Sequence, residues 1–225
     1  MVKSFLILVS LQIFLYSSQQ IVLVISPTID SSKAKLSCFE DAKQIFKTIA
    51  VNLGKNGLGV GIGKIELKNT INIPLKYEGD KKAPLGIFKL THIFGYKKQN
   101  NSKMPYLYAD NRLICVDDSK HKNYNHIINI PKDKPTSFEY MKRKDLQYEL
   151  GIVVEHNKEQ IEKRGSCIFL HVQKDINTPT AGCTSMKLDY LKKIINWLDI
   201  EKNPILIQVD KNSLEEVYKL YPQLK

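Results

Sequence analysis

The chain has 225 residues, of which 43% are hydrophobic, and this is enough to bury a sizeable core in one domain. Its formal net charge of +11 comes from 34 Lys and Arg against 23 Asp and Glu, but the lysines are spread along the chain and form no compact basic helix. Spread charge is typical of a solvated surface, so the composition argues against a nucleic-acid partner.

The N-terminus has the pattern of a secretory signal peptide. Lys3 precedes an apolar run at residues 5–16, and small and polar residues follow at 17–20. The run is shorter than the roughly 20 apolar residues that a spanning helix needs. We therefore predict a signal peptide at 1–19 and a mature domain at 20–225, located in the periplasm or elsewhere outside the cytoplasm. An uncleaved anchor and a buried N-terminal helix are the alternatives.

Runs of β-branched and alternating apolar residues predict a mainly β fold. The segments with this pattern are 20–25, 33–39, 44–51, 148–156, 167–171 and 204–209. Turn residues at 27–30 separate the first two segments, which predicts an N-terminal hairpin. Pro84 and Gly86 shape the bend that leads into a further short strand.

Helical patterns are fewer. Apolar residues recur on one face at 188–198, and Ser185 is the predicted cap of this helix. Residues 138–146 favour a short helix, and residues 213–216 have the pattern of a capping box that opens a terminal helix. The predicted fold class is therefore α+β, mainly β with flanking helices.

The glycine-rich stretch at 54–63 invites comparison with a phosphate-binding loop. The spacing G-x-x-x-x-G-K-[ST] requires a glycine where Leu58 stands and a hydroxyl where Ile65 stands. We therefore interpret the stretch as a turn in which glycine permits positive φ and close packing.

Four cysteines include no pair at metal-ligand spacing such as C-x-x-C, so we predict no zinc site and no cofactor. Cys38, Cys115 and Cys167 lie in or beside apolar runs, where a thiol is most often a small buried hydrophobic group. At most one disulfide can form among these three if Cys183 stays free.

Asp117 and Asp118 are followed by His121 and His126, which suggests a metal site at first sight. Two carboxylates in a polar loop are more often turn formers and surface charges. We therefore favour a structural role for this loop.

The strongest chemical pattern is a histidine and a cysteine twelve residues apart. His171 ends a predicted strand, and Cys183 ends the following loop just ahead of a predicted helix. A thiol becomes a good nucleophile when a base takes its proton or a helix N-terminus lowers its pKa. The pair predicts cysteine acyl transfer, with His171 as base and backbone N–H groups of Gly182 and Cys183 stabilising the oxyanion. The alternative for His171 is a core histidine satisfied by hydrogen bonds.

This region resembles the active-site signature of the L,D-transpeptidase catalytic domain family (YkuD-like), in the branch whose cysteine motif reads T-A-G-C. The segments that carry the resemblance are 54–59, 79–80, 84–88, 115–118, 124–125, 153–157, 168–171 and 178–183. They cover nearly the whole predicted mature chain in order.

The resemblance implies a β-sandwich catalytic domain that is exported and acts on peptidoglycan stem peptides. It implies a thioester at Cys183, with His171 as base, and an acyl group that passes to an amine or to water. The Val172 carbonyl is expected to orient the imidazole, and Gly182 to allow close approach to the thiol.

Thr180 and Asn157 are expected to shape the substrate site, or else only to cap turns. Ala181 and Ser185 stand where the commoner family motif has histidine and arginine, so the sequence assigns no group to the substrate carboxylate.

Transpeptidation is the leading prediction for a protein expected to be a monomer with no membrane contact beyond the export signal. An L,D-carboxypeptidase would use the same residues, since only the acceptor differs. A secreted wall-binding module without catalysis is the alternative from another class, and an intact pair of Cys183 and His171 argues against it.

Overall fold

The computed structural model describes residues 18–225 except 66, 69 and 71, so the predicted signal peptide lies almost entirely outside the described residues. The described chain forms fourteen strands and two α-helices, with short 3-10 turns near the C-terminus. They are β1 (Gln20–Ser26), β2 (Lys33–Glu40), β3 (Lys43–Gln44), β4 (Ile49–Asn52), β5 (Leu58–Val60), β6 (Ala83–Gly95), β7 (Tyr106–Tyr108), β8 (Leu113–Val116), β9 (Ile127–Asn129), β10 (Phe138–Tyr140), β11 (Leu150–Val154), β12 (Phe169–Val172), β13 (Thr184–Met186), α1 (Leu188–Trp197), β14 (Ile205–Asp210) and α2 (Leu214–Leu220).

Eight strands form a sheet that closes on itself. Their order is β1-β14-β6-β11-β12-β13-β4-β2, and β2 pairs again with β1. A closed ring leaves these strands with neighbours on both sides. The fold is mainly β with few short helices, as predicted, but the closed barrel takes the place of the expected β-sandwich. A second sheet has the order β10-β8-β9.

The N-terminal hairpin is confirmed. Strand β1 pairs antiparallel with β2 and parallel with β14, so it is a central strand. Nearly all its side chains are buried, which explains why its sequence is continuously apolar rather than alternating. The main core lies around β1, β6 and β14, and the apolar face of α1, formed by Leu191, Ile194 and Ile195, joins it.

Strand β6 is the longest and connects two parts of the barrel. Its first half pairs with β14 and its second half pairs with β11. Strand β11 in turn pairs with β12, the strand that carries His171. In the preceding glycine-rich stretch, Gly57 has φ +74° and a Cβ there would lie 2.1 Å from the Ile29 carbonyl oxygen. This close approach supports the interpretation of the stretch as a turn, although its residues 58–60 also form β5.

The single strand predicted at 44–51 is wrong, because the chain breaks into β3 and β4. The Gln44 side chain donates to the Phe46 carbonyl and to Thr48 Oγ1, which stabilises the irregular segment between them. Phe46 contributes its ring to an edge-to-face contact with Trp197 on α1, with centroids 5.9 Å apart.

The short helix predicted at 138–146 is also wrong. Residues Phe138–Tyr140 form β10, paired with β8. Beyond it, the Tyr96 hydroxyl accepts from the Arg143 N–H and donates to the Arg143 carbonyl, so a turn forms. Leu146 has φ +60°, which an α-helix does not allow.

The two predicted helices at the C-terminal end are confirmed, but their predicted caps are not. Ser185 lies in β13, and Lys187 occupies the N-cap of α1 without a side-chain cap. Ser213 is at the N-cap of α2, but its hydroxyl donates to Asp210 Oδ1, so no capping box forms. Within the described residues, neither helix has the length and apolarity needed to cross a membrane.

Cys115 and Cys167 form a disulfide, while Cys38 and Cys183 are free and buried. The prediction of at most one bridge is confirmed. The favoured interpretation of Cys115 and Cys167 as free buried thiols is wrong, because β8 and the segment before β12 meet with the two Cα atoms 6.0 Å apart. The bridge ties the three-stranded sheet to the barrel strand that carries His171.

Candidate active site

Cys183 lies at the end of a turn that leads into β13, and this corrects the predicted helix N-terminus. Residues Thr184–Met186 form a strand, and α1 begins only at Leu188. Strand β13 pairs in parallel with β12, so that Ser185 is opposite His171. The thiol is therefore held beside β12 rather than at the positive end of a helix.

The thiol group is enclosed by backbone. Cys183 Sγ accepts a hydrogen bond from the Phe169 N–H at 3.3 Å and donates to the Cys167 carbonyl at 3.5 Å. The residue is only 8% exposed. Burial raises the pKa of the Cys183 thiol to about 12, and the nearby Glu139 carboxylate adds to this rise. The resting group at neutral pH is therefore a thiol and not a thiolate.

His171 is fixed in one tautomer. Its Nδ1 lies 2.8 Å from the Val172 carbonyl oxygen, which can only accept, so Nδ1 carries the proton and Nε2 is left as an acceptor. Burial lowers the pKa of His171 to about 4, and the imidazole is neutral at pH 7. A neutral ring with an unprotonated Nε2 is suited to act as a base.

A turn held by Thr180 carries the cysteine. Thr180 Oγ1 accepts from the Gly182 N–H at 3.1 Å and donates to the Cys183 carbonyl at 2.6 Å. Its own N–H donates to the Leu53 carbonyl at 2.9 Å, which ties the turn to the barrel. The Gly182 N–H, expected to face the oxyanion, is thus already engaged.

Gly182 is required by the shape of this turn. Its φ is +151°, which L side chains rarely adopt, and a Cβ would lie 3.0 Å from the Lys82 carbonyl oxygen. A side chain here would displace the turn that ends at Cys183.

Cys183 and His171 line one cavity of about 390 Å³. Thr180, Gly182 and the disulfide residue Cys167 also line it, whereas Asn157 does not. The charged residues of its wall are Lys76, Glu78, Asp117, Glu139, Arg143 and Lys174. The cavity therefore presents both signs of charge around the thiol.

An aromatic cluster supports the imidazole. The Tyr148 ring packs edge-on against His171 and Phe169, with centroid distances of 5.3 and 5.5 Å. The Tyr148 hydroxyl donates to Glu139 Oε2 at 2.6 Å, and the Arg143 guanidinium lies 4.9 Å from the centre of its ring. Burial raises the pKa of the Glu139 carboxyl, which Tyr148 partly opposes through this hydrogen bond.

Asn157 organises a loop outside the cavity. Its amide donates to the carbonyls of Ile161 and Gly165, both at 3.0 Å, and its Oδ1 accepts from the Ile161 N–H. Asn125 donates to the Asn157 carbonyl and accepts from the Cys167 N–H at 2.9 Å. These contacts are those of a residue that stabilises the loop ahead of β12.

The model of the L,D-transpeptidase catalytic domain (YkuD) matches residues 27–207 of the chain. The chain belongs to this family. The predicted resemblance is confirmed, and membership implies L,D-transpeptidase-type catalysis on peptidoglycan. No curated protein and no solved structure matches the chain.

In this L,D-transpeptidase domain the two aspartates singled out from the sequence have different surroundings. Asp118 accepts from Thr136 and from the Lys120 N–H, as a turn former does. Asp117 lines the cavity, and its Oδ1 is buried with no hydrogen-bond partner among the described residues. Residues 18–225, apart from the three that are not described, contain no group of His, Cys, Asp and Glu suited to a metal ion.

Sequence reasoning missed most of the cavity wall. Lys76, Glu139, Arg143 and Tyr148 lie far from Cys183 in the chain and belong to no motif that marks them as site residues. Glu78 adjoins the Gly79-Asp80 pair of the resemblance, and Asp117 lies within its segment 115–118, so the sequence pointed to the neighbourhood of these two wall residues.

Proposed function

We propose that this L,D-transpeptidase domain is an exported cysteine acyltransferase that links peptidoglycan stem peptides to Cys183 as a thioester. One observation carries the proposal: the thiol and an imidazole with an unprotonated Nε2 line the same cavity. A nucleophile beside a base of fixed tautomer is the arrangement that covalent acyl transfer needs.

The acylation step starts from a neutral pair. His171 Nε2 takes the Cys183 proton while the sulfur attacks the stem-peptide carbonyl carbon, and the carbonyl π electrons move to oxygen. The tetrahedral intermediate then collapses, the C–N bond breaks, and the leaving amine takes the proton from the imidazolium. The product is a thioester and a released amine.

The thiol must reorient for this step. At rest its proton is directed to the Cys167 carbonyl at 3.5 Å, a long and weak contact. For acylation, rotation about the Cys183 side chain must direct this proton to His171 Nε2 instead. The Phe169 N–H, at 3.3 Å from the sulfur, is placed to stabilise negative charge on it.

The acceptor in the second step is proposed to be an amine. In its neutral form it attacks the thioester carbonyl carbon, and His171 Nε2 takes a proton from its nitrogen. The C–S bond then breaks, and the imidazolium gives that proton to the departing sulfur, which regenerates the thiol. Membership of the L,D-transpeptidase family supports an amine acceptor, whereas the mixed charges of the cavity wall select neither an amine nor water. Water in its place would give an L,D-carboxypeptidase.

Two features support export. Residues 1–19 have the signal-peptide pattern, and the Cys115–Cys167 disulfide is typical of proteins outside the reducing cytoplasm. A fusion of residues 1–25 to a reporter active only outside the cytoplasm should give activity, and a deletion of 5–16 should abolish it. Reporter activity that persists without 5–16 would contradict export by this segment.

Product analysis tests the catalytic proposal. The purified domain and its Cys183→Ala and His171→Ala variants are incubated with muropeptides, and the products are separated and weighed. New crosslinks with the wild type alone indicate transpeptidation, and shortened stems without crosslinks indicate carboxypeptidation. Unchanged muropeptides with the folded wild type would refute the proposal.

A further inference from the structure

Lys76 is a buried lysine in the wall of the Cys183 cavity. It is only 3% exposed, and lysine is rarely buried unless its charge is paired. Its Nζ donates to Asp80 Oδ1 and to the Tyr77 carbonyl, both at 2.6 Å. An ammonium has three N–H donors. The third has no hydrogen-bond partner among the residues that the structure describes.

Glycines allow the Lys76 side chain to reach the turn before Cys183. A Cβ on Gly165 would lie 3.3 Å from Lys76 Cε, and a Cβ on Gly59 would lie 3.3 Å from its Cα. The Nζ lies 3.8 Å from the position that a Cβ on Gly182 would take. The ammonium is therefore placed at the glycine next to the nucleophile.

The Asp80 carboxylate holds this ammonium in place. Asp80 accepts from Lys76, from the Tyr77 N–H at 2.7 Å and from the Lys82 N–H at 2.8 Å. The two backbone N–H donors hold the Asp80 carboxylate in position independently of Lys76, and the carboxylate in turn holds the ammonium. A charge held in this way needs no rearrangement when a reaction occurs, which is the condition for electrostatic catalysis.

The acyl-transfer chemistry creates negative charge where few donors are left. The Gly182 N–H is engaged by Thr180, so one expected oxyanion donor is occupied. The charged groups that act on the Cys183 sulfur are Lys76 and Arg143, which favour its anionic form, and Glu139, which opposes it. His171 supplies no positive charge until it has taken the proton.

We propose that the Lys76 ammonium stabilises the negative charge that develops on Cys183 and on the attacked carbonyl oxygen, with its third N–H as donor to that oxygen. The inference rests on the proposed function and adds a catalytic residue to it. Lys76 stays protonated throughout, so it changes the barrier and not the proton balance.

The test compares Lys76→Met with Lys89→Met, a control that removes one exposed lysine of β6 and leaves the cavity unchanged. Both variants are made in a Cys38→Ala background, so that Cys183 is the only free thiol. Two rates are measured: alkylation of Cys183 by iodoacetamide at pH 8, where lysine is protonated, and single-turnover acylation by a muropeptide at saturating concentration.

We expect Lys76→Met to slow acylation by roughly 10²-fold at saturation, as loss of one oxyanion donor does, with little change in apparent affinity. Alkylation at pH 8 should also slow, because less of Cys183 is then in the thiolate form. Lys89→Met should match the parent in both rates. If Lys76→Met does not fold, Lys76→Gln, which keeps donors for Asp80 without the charge, should give the same result.

Unchanged rates of acylation and of alkylation at pH 8 in the folded variant would overturn the inference. A loss of affinity alone would overturn it too, because Lys76 would then bind the ground-state substrate. Alkylation requires no substrate, so slower alkylation of Lys76→Met with no acylation of the parent would support the effect of Lys76 on the sulfur and reject the proposed function.

Discussion

Removal of the Cys115–Cys167 disulfide should destabilise the domain strongly. The bridge spans 52 residues. For a loop of this length, the chain-entropy relation gives about 4 kcal/mol at 25 °C. Cys115→Ala/Cys167→Ala is the appropriate variant, because both positions are buried and alanine adds no polar group. In a domain of this size, 1 kcal/mol moves Tm by roughly 2–4 °C, so the expected fall in Tm is about 8–16 °C.

Calorimetry of the oxidised protein, the reduced protein and the double variant measures this effect. Reduction should lower the Tm of the wild type to near that of the double variant and should leave the variant unchanged. Every sample, including the one called wild type here, carries Cys38→Ala and Cys183→Ala, so that no free thiol can exchange with the bridge. A double variant with a Tm within about 2 °C of the oxidised wild type would refute the reasoning.

Three further predictions concern the turn and the buried histidines. Thr180→Val removes the hydroxyl that bonds the Gly182 N–H and the Cys183 carbonyl, so acylation should slow about 10-fold or more, and Thr180→Ser should restore most of the rate. An acylation rate for Thr180→Val equal to the wild type would contradict the role of the turn. Gly182→Ala should lower the unfolding free energy by about 1–3 kcal/mol in urea titrations, because its φ of +151° strains a side chain; an unchanged midpoint would show that the turn tolerates a Cβ. Burial lowers the pKa of His156 and of His171 from 6.5 to about 4, so the unfolded chain binds more protons in this range and stability should fall as pH falls from 6.5 to 4. His156→Gln should reduce that slope by about 1.4 kcal/mol per pH unit, and a slope equal to the wild type would mean that His156 does not titrate in this way.

The strands of the barrel were largely predictable because their apolar runs are long and flanked by turn residues. Residues 20–25 and 33–39 pair as expected, and 204–209 forms β14. Closure of the barrel was not predictable, because it depends on the pairing of β1 with β14, which lie near opposite ends of the chain. Local patterns do not encode such pairings.

The errors arose where short segments have more than one compatible structure. Thr184–Met186 is only three residues long, so the sequence did not separate a strand from the approach to α1, and Cys183 was assigned to the wrong environment. Residues 138–146 depend on the Tyr96 hydroxyl, a partner more than forty positions away, for their turn. In both segments, contacts with distant parts of the chain determine which of the compatible structures forms.

The catalytic pair was predictable from the motif, but its surroundings were not. His171 and the Val172 carbonyl form the contact that the resemblance implied. Lys76, Glu139 and Arg143 reach the cavity from separate parts of the fold and carry no local signature. Asn157 belongs to the motif segments but stabilises a loop outside the cavity wall.

The most direct test of the central claim is the intact mass of the protein after brief incubation with a stem-peptide donor and acid quenching. The wild type should gain the mass of one acyl group, peptide mapping should locate it on Cys183, and added hydroxylamine should remove it, as expected of a thioester. Cys183→Ala should gain no mass. An adduct of equal yield on Cys183→Ala, or active turnover with no adduct on Cys183 at any time point, would contradict a thioester at this residue.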